Sequence, residues 1–190
     1  MTRPTNGRAG REGKRNEIRD SYGEELAQLM SRQLPLHPTT NLLHLGSVGA
    51  LPLLRLALPR LPNGSATALV YTFDEVARTQ AALSAFPQVT VINEWEELPP
   101  DTRYEVVTSI VPYHLSMTFI DQIIATGLAS LKPGGVFIMG GDKRKDFERY
   151  QAMLAHRVDN VQTLATNSHQ RVVQAEASAV RKRGGLRRVI

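Results

Sequence analysis

The chain of 190 residues is predicted to form an α/β domain, with helices on both faces of a mostly parallel sheet and an antiparallel hairpin at its C-terminal end. Two observations predict this class. Short apolar runs alternate with amphipathic segments between residues 41 and 154, which is typical of a parallel sheet with helical connections. Two strand-like runs then follow with only a short polar loop between them, which indicates a hairpin.

The predicted elements follow one another without an internal repeat. An amphipathic helix is predicted over residues 17–33, because apolar side chains from Ile18 to Met30 recur at helical spacing and Pro35 follows. Strands are predicted at residues 42–45, 68–73, 89–92, 104–109 and 136–139. Further helices are predicted at residues 50–58, 74–85, 115–131 and 147–154. The hairpin joins residues 160–165 to residues 171–175.

Proline, glycine and capping residues set the predicted boundaries. Pro59 ends the helix over 50–58, and Pro87 ends the helix over 74–85. Asp74 is expected to cap that second helix at its N-terminus. The Lys-Pro-Gly-Gly turn at 132–135 is expected to end the helix over 115–131 sharply.

Basic residues concentrate at the two ends of the chain. Residues 1–15 hold five cations against one acid, and residues 178–190 hold five cations and no acid. Because the whole chain has a formal charge of +5, residues 16–177 are mildly acidic. We expect a disordered basic arm over 1–15, a folded domain over 16–177 and a basic tail over 178–190. Such ends contact nucleic-acid phosphates, or they serve as solubilising tails with no specific partner.

The composition argues against several kinds of site. The chain has no cysteine, so disulfides, thiolate zinc sites and cysteine nucleophiles are excluded, and no metal site is predicted. No apolar run approaches the roughly 20 residues that span a bilayer. The polar, basic start of the chain does not have the pattern of a secretory signal. We therefore expect a cytoplasmic protein without a membrane partner, and the sequence predicts no particular oligomeric state.

The turns after the five predicted strands are the expected location of functional residues. Parallel sheets bind ligands where the carboxyl ends of their strands meet, near the point where the strand order reverses. These turns contain residues 46–50, Asp74, residues 93–96, residues 110–114 and residues 140–145.

Four segments resemble one protein family in their order and spacing. They are LHLGSVGA at 43–50, YEVVTSIVPYH at 104–114, LASLKPGGVFIMGG at 128–141 and HQRVVQAEA at 169–177. The order resembles that of class I S-adenosylmethionine-dependent methyltransferases, which have a Rossmann-like fold. Within this class, residues 40–177 resemble the methyltransferase small domain family, which includes guanine-N2 methyltransferases of ribosomal RNA. The Lys-Pro-Gly-Gly segment is the most specific of the four for the class, and it does not identify a substrate.

The resemblance implies S-adenosylmethionine as the cofactor. It places Gly46, Ser47 and Gly49 in the loop that would hold the methionine moiety. The remaining implied cofactor contacts are Thr72 or Asp74 to the ribose hydroxyls and Asn93 or Glu94 to the adenine amino group, with Trp95 beside the ring. For Asp74, helix capping is the alternative role.

The glycine loop departs from the family pattern at three positions. His44 stands where the family has an acid that helps to hold the cofactor's amino group, and Val48 and Ala50 stand where it has glycines. A valine side chain opposes close approach of a ligand to the backbone. An imidazole also lacks the negative charge that attracts an ammonium group.

The catalytic motif of the family, Asn-Pro-Pro-Phe/Tyr-His, corresponds to residues 110–114. Pro112, Tyr113 and His114 are the implied catalytic residues, with Tyr113 stacking on the target base. Ile110 replaces the asparagine that would accept a hydrogen bond from the target amino group. His114 is either a general base or an ordinary histidine at the start of a helix.

Basic residues at the site and in the tail indicate an RNA partner. The predicted nucleic-acid contacts are Lys143, Arg144 and Lys145 after the fifth strand and Arg181, Lys182 and Arg183 in the tail. Two functions remain open: an active methyltransferase acting on RNA, especially ribosomal RNA, and an inactive methyltransferase-fold protein that binds RNA or acts as a scaffold. A Rossmann oxidoreductase is a third interpretation, but the Gly-x-Gly-x-x-Gly motif that it requires is absent.

Overall fold

The computed structural model describes residues 21–177, which begin in a helix, α1, that reaches residue 31. The strands are β1 (Asn41–Leu45), β2 (Ser65–Leu69), β3 (Val89–Ile92), β4 (Tyr104–Ile110), β5 (Leu131–Asp142), β6 (Val161–Thr166) and β7 (Gln170–Glu176). The α-helices after α1 are α2 (Ala50–Ala57), α3 (Phe73–Ala82), α4 (Met117–Ala129) and α5 (Phe147–Ala155). Short 3-10 helices are formed by Leu58–Arg60, Trp95–Glu97 and Lys143–Lys145.

The strands form one seven-stranded sheet in the order β3-β2-β1-β4-β5-β7-β6. Strands β1 to β5 run parallel, and β7 is antiparallel to both β5 and β6. The predicted fold class is therefore confirmed, including the C-terminal hairpin. The strand order reverses between β1 and β4, so the loops after these two strands border the crevice at the carboxyl edge.

Two hydrophobic cores lie on the two faces of the sheet. On one face, helices α1, α2 and α3 pack through residues such as Leu26 and Leu53, both completely buried. On the other face, helices α4 and α5 pack through residues such as Ile124 and Leu154, which are also completely buried. This arrangement confirms the prediction of helices on both faces.

The start of α3 differs from the prediction. The apolar run over 68–73 predicted a strand, but β2 ends at Leu69 and Phe73 is the first helical residue, with 73% of its surface exposed. Thr72, not Asp74, caps the helix: its side chain accepts a hydrogen bond from the Glu75 backbone N–H at 3.3 Å. The Glu75 side chain bonds back to the Thr72 N–H, so the two residues form a capping box that fixes the helix start.

The segment from α4 to β5 also differs at its boundaries. Ser116 caps α4, which ends at Ala129, so the predicted helix over 115–131 is shorter at both ends. Leu131 already pairs with Tyr104, and β5 continues to Asp142, three residues beyond the predicted end. Pairing of Leu131 with Tyr104 explains the earlier start of the strand. Pairing of residues 140–142 with β7 explains its later end.

The last described residues lie far along the sheet from the carboxyl edge. Strand β7 starts with Gln170 opposite Asp142 and ends with Glu176 opposite Val136. Because β5 runs towards the carboxyl edge, β7 leads the chain away from it. The predicted arm over 1–15 and tail over 178–190 lie outside the described residues, as do Arg181, Lys182 and Arg183.

Candidate functional site

A groove with a volume of about 890 Å³ lies at the carboxyl edge of the sheet. The loops after β1, β2, β4 and β5 contribute to it, as the switch in strand order predicts. Helices α1, α2 and α3 form its other walls, and the participation of α1 was not predicted. Its lining includes Tyr22, Gly23 and Glu24 of α1; Ser47, Val48 and Gly49; Arg55 of α2; Tyr71, Glu75 and Arg78; and Tyr113, His114 and Lys145.

The loop after β1 keeps a glycine turn. Gly46 has a φ of 116° and Gly49 a φ of 68°, conformations that favour glycine over residues with a Cβ. The Gly46 N–H donates to the Leu69 carbonyl at 2.8 Å, which ties the loop to β2. Gly49 is the N-cap of α2, and its carbonyl accepts from the Leu53 N–H at 3.0 Å. Both predicted loop glycines are therefore needed for the turn itself.

His44 supports this loop from inside the protein. Its ring is completely buried, with Nδ1 2.9 Å from the Thr108 hydroxyl and Nε2 3.3 Å from the Val48 carbonyl. Burial lowers the pKa of His44 to about 4, so the ring is neutral at physiological pH. A neutral imidazole with a proton on Nε2 donates to Val48 and accepts from Thr108. His44 thus holds the loop in place and does not form part of the groove wall.

The loops after β1 and β2 are joined by a carboxylate that the sequence analysis missed. Glu75 Oε2 accepts from the Ser47 hydroxyl at 2.7 Å and from the backbone N–H groups of Tyr71 and Thr72, each at 3.1 Å. Ser47 and Glu75 both line the groove. Thr72 and Asp74 are exposed and do not line it. The sequence signal for Glu75 is the Thr-x-x-Glu capping box. The same box explains why Thr72 and not Asp74 caps the helix.

The residues predicted to bind adenine are not brought to the groove. The backbone N–H groups of Asn93 and Glu94 donate to Glu97 Oε1 at 3.2 and 3.0 Å, within the turn that starts the 3-10 helix Trp95–Glu97. The Trp95 ring packs on Phe119 with centroids 5.9 Å apart, and Phe119 packs edge-on against Tyr71 at 5.5 Å. This row of aromatic rings extends from the third-strand turn to the groove.

The predicted catalytic residues have different environments. Ile110 is completely buried, Pro112 is buried and absent from the groove wall, and His114 is exposed on that wall. Tyr113 also lines the groove, and its hydroxyl lies 3.0 Å from the Asp142 carbonyl and accepts from the Asp142 N–H at 2.7 Å. Burial raises the pKa of Tyr113, so its phenol stays protonated. The hydroxyl is thus tied to β5, which fixes the ring at the groove.

Each predicted cation of the loop after β5 has a partner within the domain. Lys143 bonds to the Asn167 carbonyl, and Arg144 forms a bidentate ion pair with Asp142 through bonds of 3.0 and 2.8 Å. The hydrogen bonds from Arg144 lower the pKa of Asp142. Lys145 lies over the rings of Tyr22 and Tyr113, with its Nζ 5.3 and 5.4 Å from their centroids. Of the three, Lys145 lines the groove and places its charge beside two aromatic faces.

Among residues 21–177 there is no group of three or more histidine, aspartate or glutamate side chains placed to hold a metal ion. Within the same range, no helix is both long and apolar enough to cross a bilayer.

Comparison with solved structures shows the fold. A 16S rRNA N2 G1207 methyltransferase from T. thermophilus, solved with AdoMet and guanosine, is similar with a TM-score of 0.64 and 20% identity; the match covers 82% of this chain and 39% of that one. A SAM-dependent methyltransferase from Aquifex aeolicus has a TM-score of 0.67 and 13% identity, covering 87% and 97% of the two chains. The [4+2]-cyclase SpnF has a TM-score of 0.64 and 15% identity, covering 80% of each chain.

These similarities establish a Rossmann-like methyltransferase fold for the described domain. No protein-family model matches the chain, and no curated protein matches its sequence. The fold alone does not determine the reaction, because one of the similar structures is a cyclase.

Whether S-adenosylmethionine fits depends on the space beside the two loop glycines, on the face of each where a Cβ would point. A Cβ at Gly46 would lie 2.6 Å from the Tyr71 hydroxyl oxygen, and one at Gly49 would lie 2.3 Å from Ile110 Cδ1. Both faces are therefore covered by the chain's own atoms. The cover on Gly46 is one side chain at the groove, while Ser47 and Glu75 already line the groove beside it. Close approach of the cofactor to the Gly46 backbone would therefore require the Tyr71 side chain to move.

Proposed function

We propose that this chain is an S-adenosylmethionine-dependent methyltransferase that acts on RNA. The observation that supports it is the groove at the carboxyl edge, which joins the glycine loop to the loops after β2, β4 and β5. The groove combines a polar pair, aromatic side chains and cations in one continuous space. That combination suits a nucleoside-containing cofactor next to an anionic, base-bearing substrate.

Ser47 and Glu75 are the residues proposed to hold the cofactor's ribose. The four hydrogen bonds described for the Glu75 carboxylate, including that from the Thr72 hydroxyl at 3.3 Å, all go to Oε2. Its other oxygen, Oε1, is therefore the acceptor offered to ribose hydroxyls. When bound, S-adenosylmethionine supplies an electrophilic methyl group on its sulfonium.

Tyr113, His114 and Lys145 are proposed to receive the substrate. The Tyr113 ring is fixed through its hydroxyl and faces the groove, where an aromatic ring can stack on a base. Lys145 adds positive charge beside that ring, at the edge where a phosphate would lie. Methyl transfer requires alignment of the acceptor more than acid–base chemistry, so fixed rings are suitable groups for this role.

A second candidate function is an inactive methyltransferase-fold protein that binds RNA. The observation that favours it is Ile110, which is completely buried and has no polar atom in its side chain. The resemblance places at this position an asparagine that accepts a hydrogen bond from the target amino group. An RNA-binding module needs the cations and aromatic rings of the groove but not this acceptor.

Titration calorimetry with S-adenosylhomocysteine separates the two functions. We expect the wild-type chain to bind with a dissociation constant in the range of about 0.01 to 1 mM, equivalent to roughly −7 to −4 kcal/mol. Val48→Gly is expected to bind more tightly, since Val48 lines the groove and stands in a family glycine position. Absence of heat at millimolar ligand with both proteins would contradict the methyltransferase proposal and leave the RNA-binding candidate.

Deletion of the two basic ends tests the RNA partner. We expect removal of residues 1–15 to weaken RNA binding more than removal of residues 178–190, although the second deletion removes more net charge. The reason is the position of the described residues near each end: residues 22–24 line the groove, whereas Glu176 lies opposite Val136, far from the carboxyl edge.

The measurement is RNA affinity by gel shift at several salt concentrations. Each phosphate that a shortened chain no longer neutralises should reduce the slope of log K against log salt by about 0.7 for single-stranded RNA. The wild-type chain serves as the reference for both deletions. Equal slopes for the two deletions, or binding that does not respond to salt, would contradict this assignment.

A further inference from the structure

We propose that the Tyr71 side chain is a displaceable cover on the glycine loop, which must rotate away before a nucleoside ligand contacts Gly46 and Ser47. This proposal rests on the proposed cofactor site and adds a closed state to it.

The space beside the Gly46 backbone is occupied by Tyr71. Gly46 has a φ of 116° and no Cβ, so its backbone is open on the side where other residues carry a side chain. A Cβ there would lie 2.6 Å from the Tyr71 oxygen and 3.4 Å from its Cζ. The phenol therefore fills the space that lets a ligand approach this backbone.

The hydroxyl group of Tyr71 is buried without a hydrogen-bond partner among the described residues. Burial raises the pKa of this phenol, and the backbone of Ser47 beside it acts in the opposite direction. A backbone N–H can only donate, so the phenol proton has no acceptor in the described part of the chain. A buried hydroxyl without a partner is unfavourable, which makes the closed position easy to leave.

The Tyr71 ring can move while its backbone stays in place. The Tyr71 N–H is held by Ser47 Oγ at 2.9 Å and by Glu75 Oε2 at 3.1 Å. The ring itself makes edge contacts, with Phe119 at 5.5 Å and with the exposed His114 at 6.4 Å between centroids. Rotation about the side-chain torsions would turn the ring within the groove that Tyr71 already lines.

Gly49 provides the contrast that singles out Tyr71. Its face is covered by Ile110, which is completely buried, and by the backbone carbonyl of Gly23, 3.0 Å from the position of a Cβ. These atoms belong to the packed core and to α1. The cover at Gly49 is therefore permanent, whereas the cover at Gly46 is a single side chain at the edge of an open groove.

The experiment compares S-adenosylhomocysteine binding by calorimetry to the wild-type chain and to Tyr71→Ala, Tyr71→Phe and Phe73→Ala. If the cover is closed in about nine molecules of ten, its removal strengthens the apparent affinity about tenfold. We expect this gain for Tyr71→Ala. Tyr71→Phe keeps the ring and removes only the unpartnered hydroxyl, so it should bind no more tightly than the wild type. Phe73→Ala removes a neighbouring exposed ring and should bind like the wild type.

A ligand-free measurement accompanies the titration. The Ser47 backbone N–H lies beside the Tyr71 hydroxyl, so its hydrogen exchange should be faster in Tyr71→Ala, which removes the whole side chain, than in the wild type or in Tyr71→Phe. Tyr71→Phe should melt at or above the wild-type temperature, because the hydroxyl that it removes is buried and has no partner among the residues that the structure describes.

The possible outcomes distinguish the cover from the proposed function. Wild-type binding without a gain in Tyr71→Ala overturns the cover and leaves the cofactor proposal intact. Equal Ser47 exchange in the wild type and Tyr71→Ala also overturns the cover, whatever the ligand does. If none of the four proteins binds, the cofactor proposal fails and, with it, Tyr71 as the barrier to that cofactor.

Discussion

Gly49→Ala is expected to destabilise the fold by about 2–5 kcal/mol, the combined effect of a left-handed backbone at a non-glycine residue and of an overfilled core. The φ of 68° alone disfavours any residue with a Cβ. The added carbon would lie 2.3 Å from Ile110 Cδ1 and 3.0 Å from the Gly23 carbonyl oxygen. Ile110 is completely buried, so its movement would disturb the packing around it.

The measurement for Gly49→Ala is urea unfolding followed by circular dichroism. Gly134→Ala is the matched control, since Gly134 has a φ of 76° but no atom lies within 4 Å of the position of its Cβ. That control should lose only about 1–2 kcal/mol, from the backbone conformation alone. If the two variants lost the same stability, the contact of Gly49 with Ile110 and Gly23 would not be the tight junction that the structure shows.

The loop that contains Gly49 is one of the features that the sequence predicts well. Alternating apolar runs, proline stops and the Lys-Pro-Gly-Gly turn are local signals, and they predicted the sheet class and the C-terminal hairpin. The loop after β1 was found in the same way, because a glycine turn after a buried strand has a local pattern. The turn after β2 was misplaced because the apolar run of 68–73 outweighed a capping box at Thr72 and Glu75, although that box was visible in the sequence.

The details that decide the site were not local, and this explains why they were missed. Tyr71 covers Gly46 across 25 positions of sequence, through the register of β1 with β2 and through one side-chain rotamer. Helix α1 was predicted as an amphipathic helix with a core face, and nothing in its spacing indicates that Tyr22 and Gly23 reach the groove. The ion pair of Arg144 with Asp142 was not predicted, because Asp142 lies at the end of an unpredicted extension of β5, and Arg144 stays a predicted RNA contact.

Acidification is expected to destabilise the wild-type chain between pH 6.5 and pH 4 through His44. Burial lowers the pKa of this histidine from 6.5 to about 4, so in this range the unfolded chain binds a proton that the folded chain does not. The contribution of His44 is therefore complete above about pH 6.5, decreases as the pH falls, and is lost below about pH 4. The difference in pKa corresponds to a loss on the order of 3 kcal/mol.

Urea unfolding at pH 7, 6, 5 and 4 measures this effect, with His44→Gln and His156→Gln as the variants. His44→Gln should be less stable at pH 7, because it loses the fit between Thr108 and Val48, but it should lose less further stability on acidification. His156 is exposed at the end of α5, so His156→Gln is the matched control for the loss of a histidine outside the core.

The pH range of the loss distinguishes the contribution of His44 to stability from that of the carboxylates. Arg144 lowers the pKa of Asp142, so the stability that this pair contributes is lost at lower pH than the contribution of His44. A wild-type chain with the same pH dependence as His44→Gln would show that the buried ring accepts a proton in the folded chain as readily as in the unfolded one. Below its ordinary pKa of 6.5, His44 would then carry a positive charge beneath the glycine loop, which would oppose the cationic cofactor that we propose for this groove.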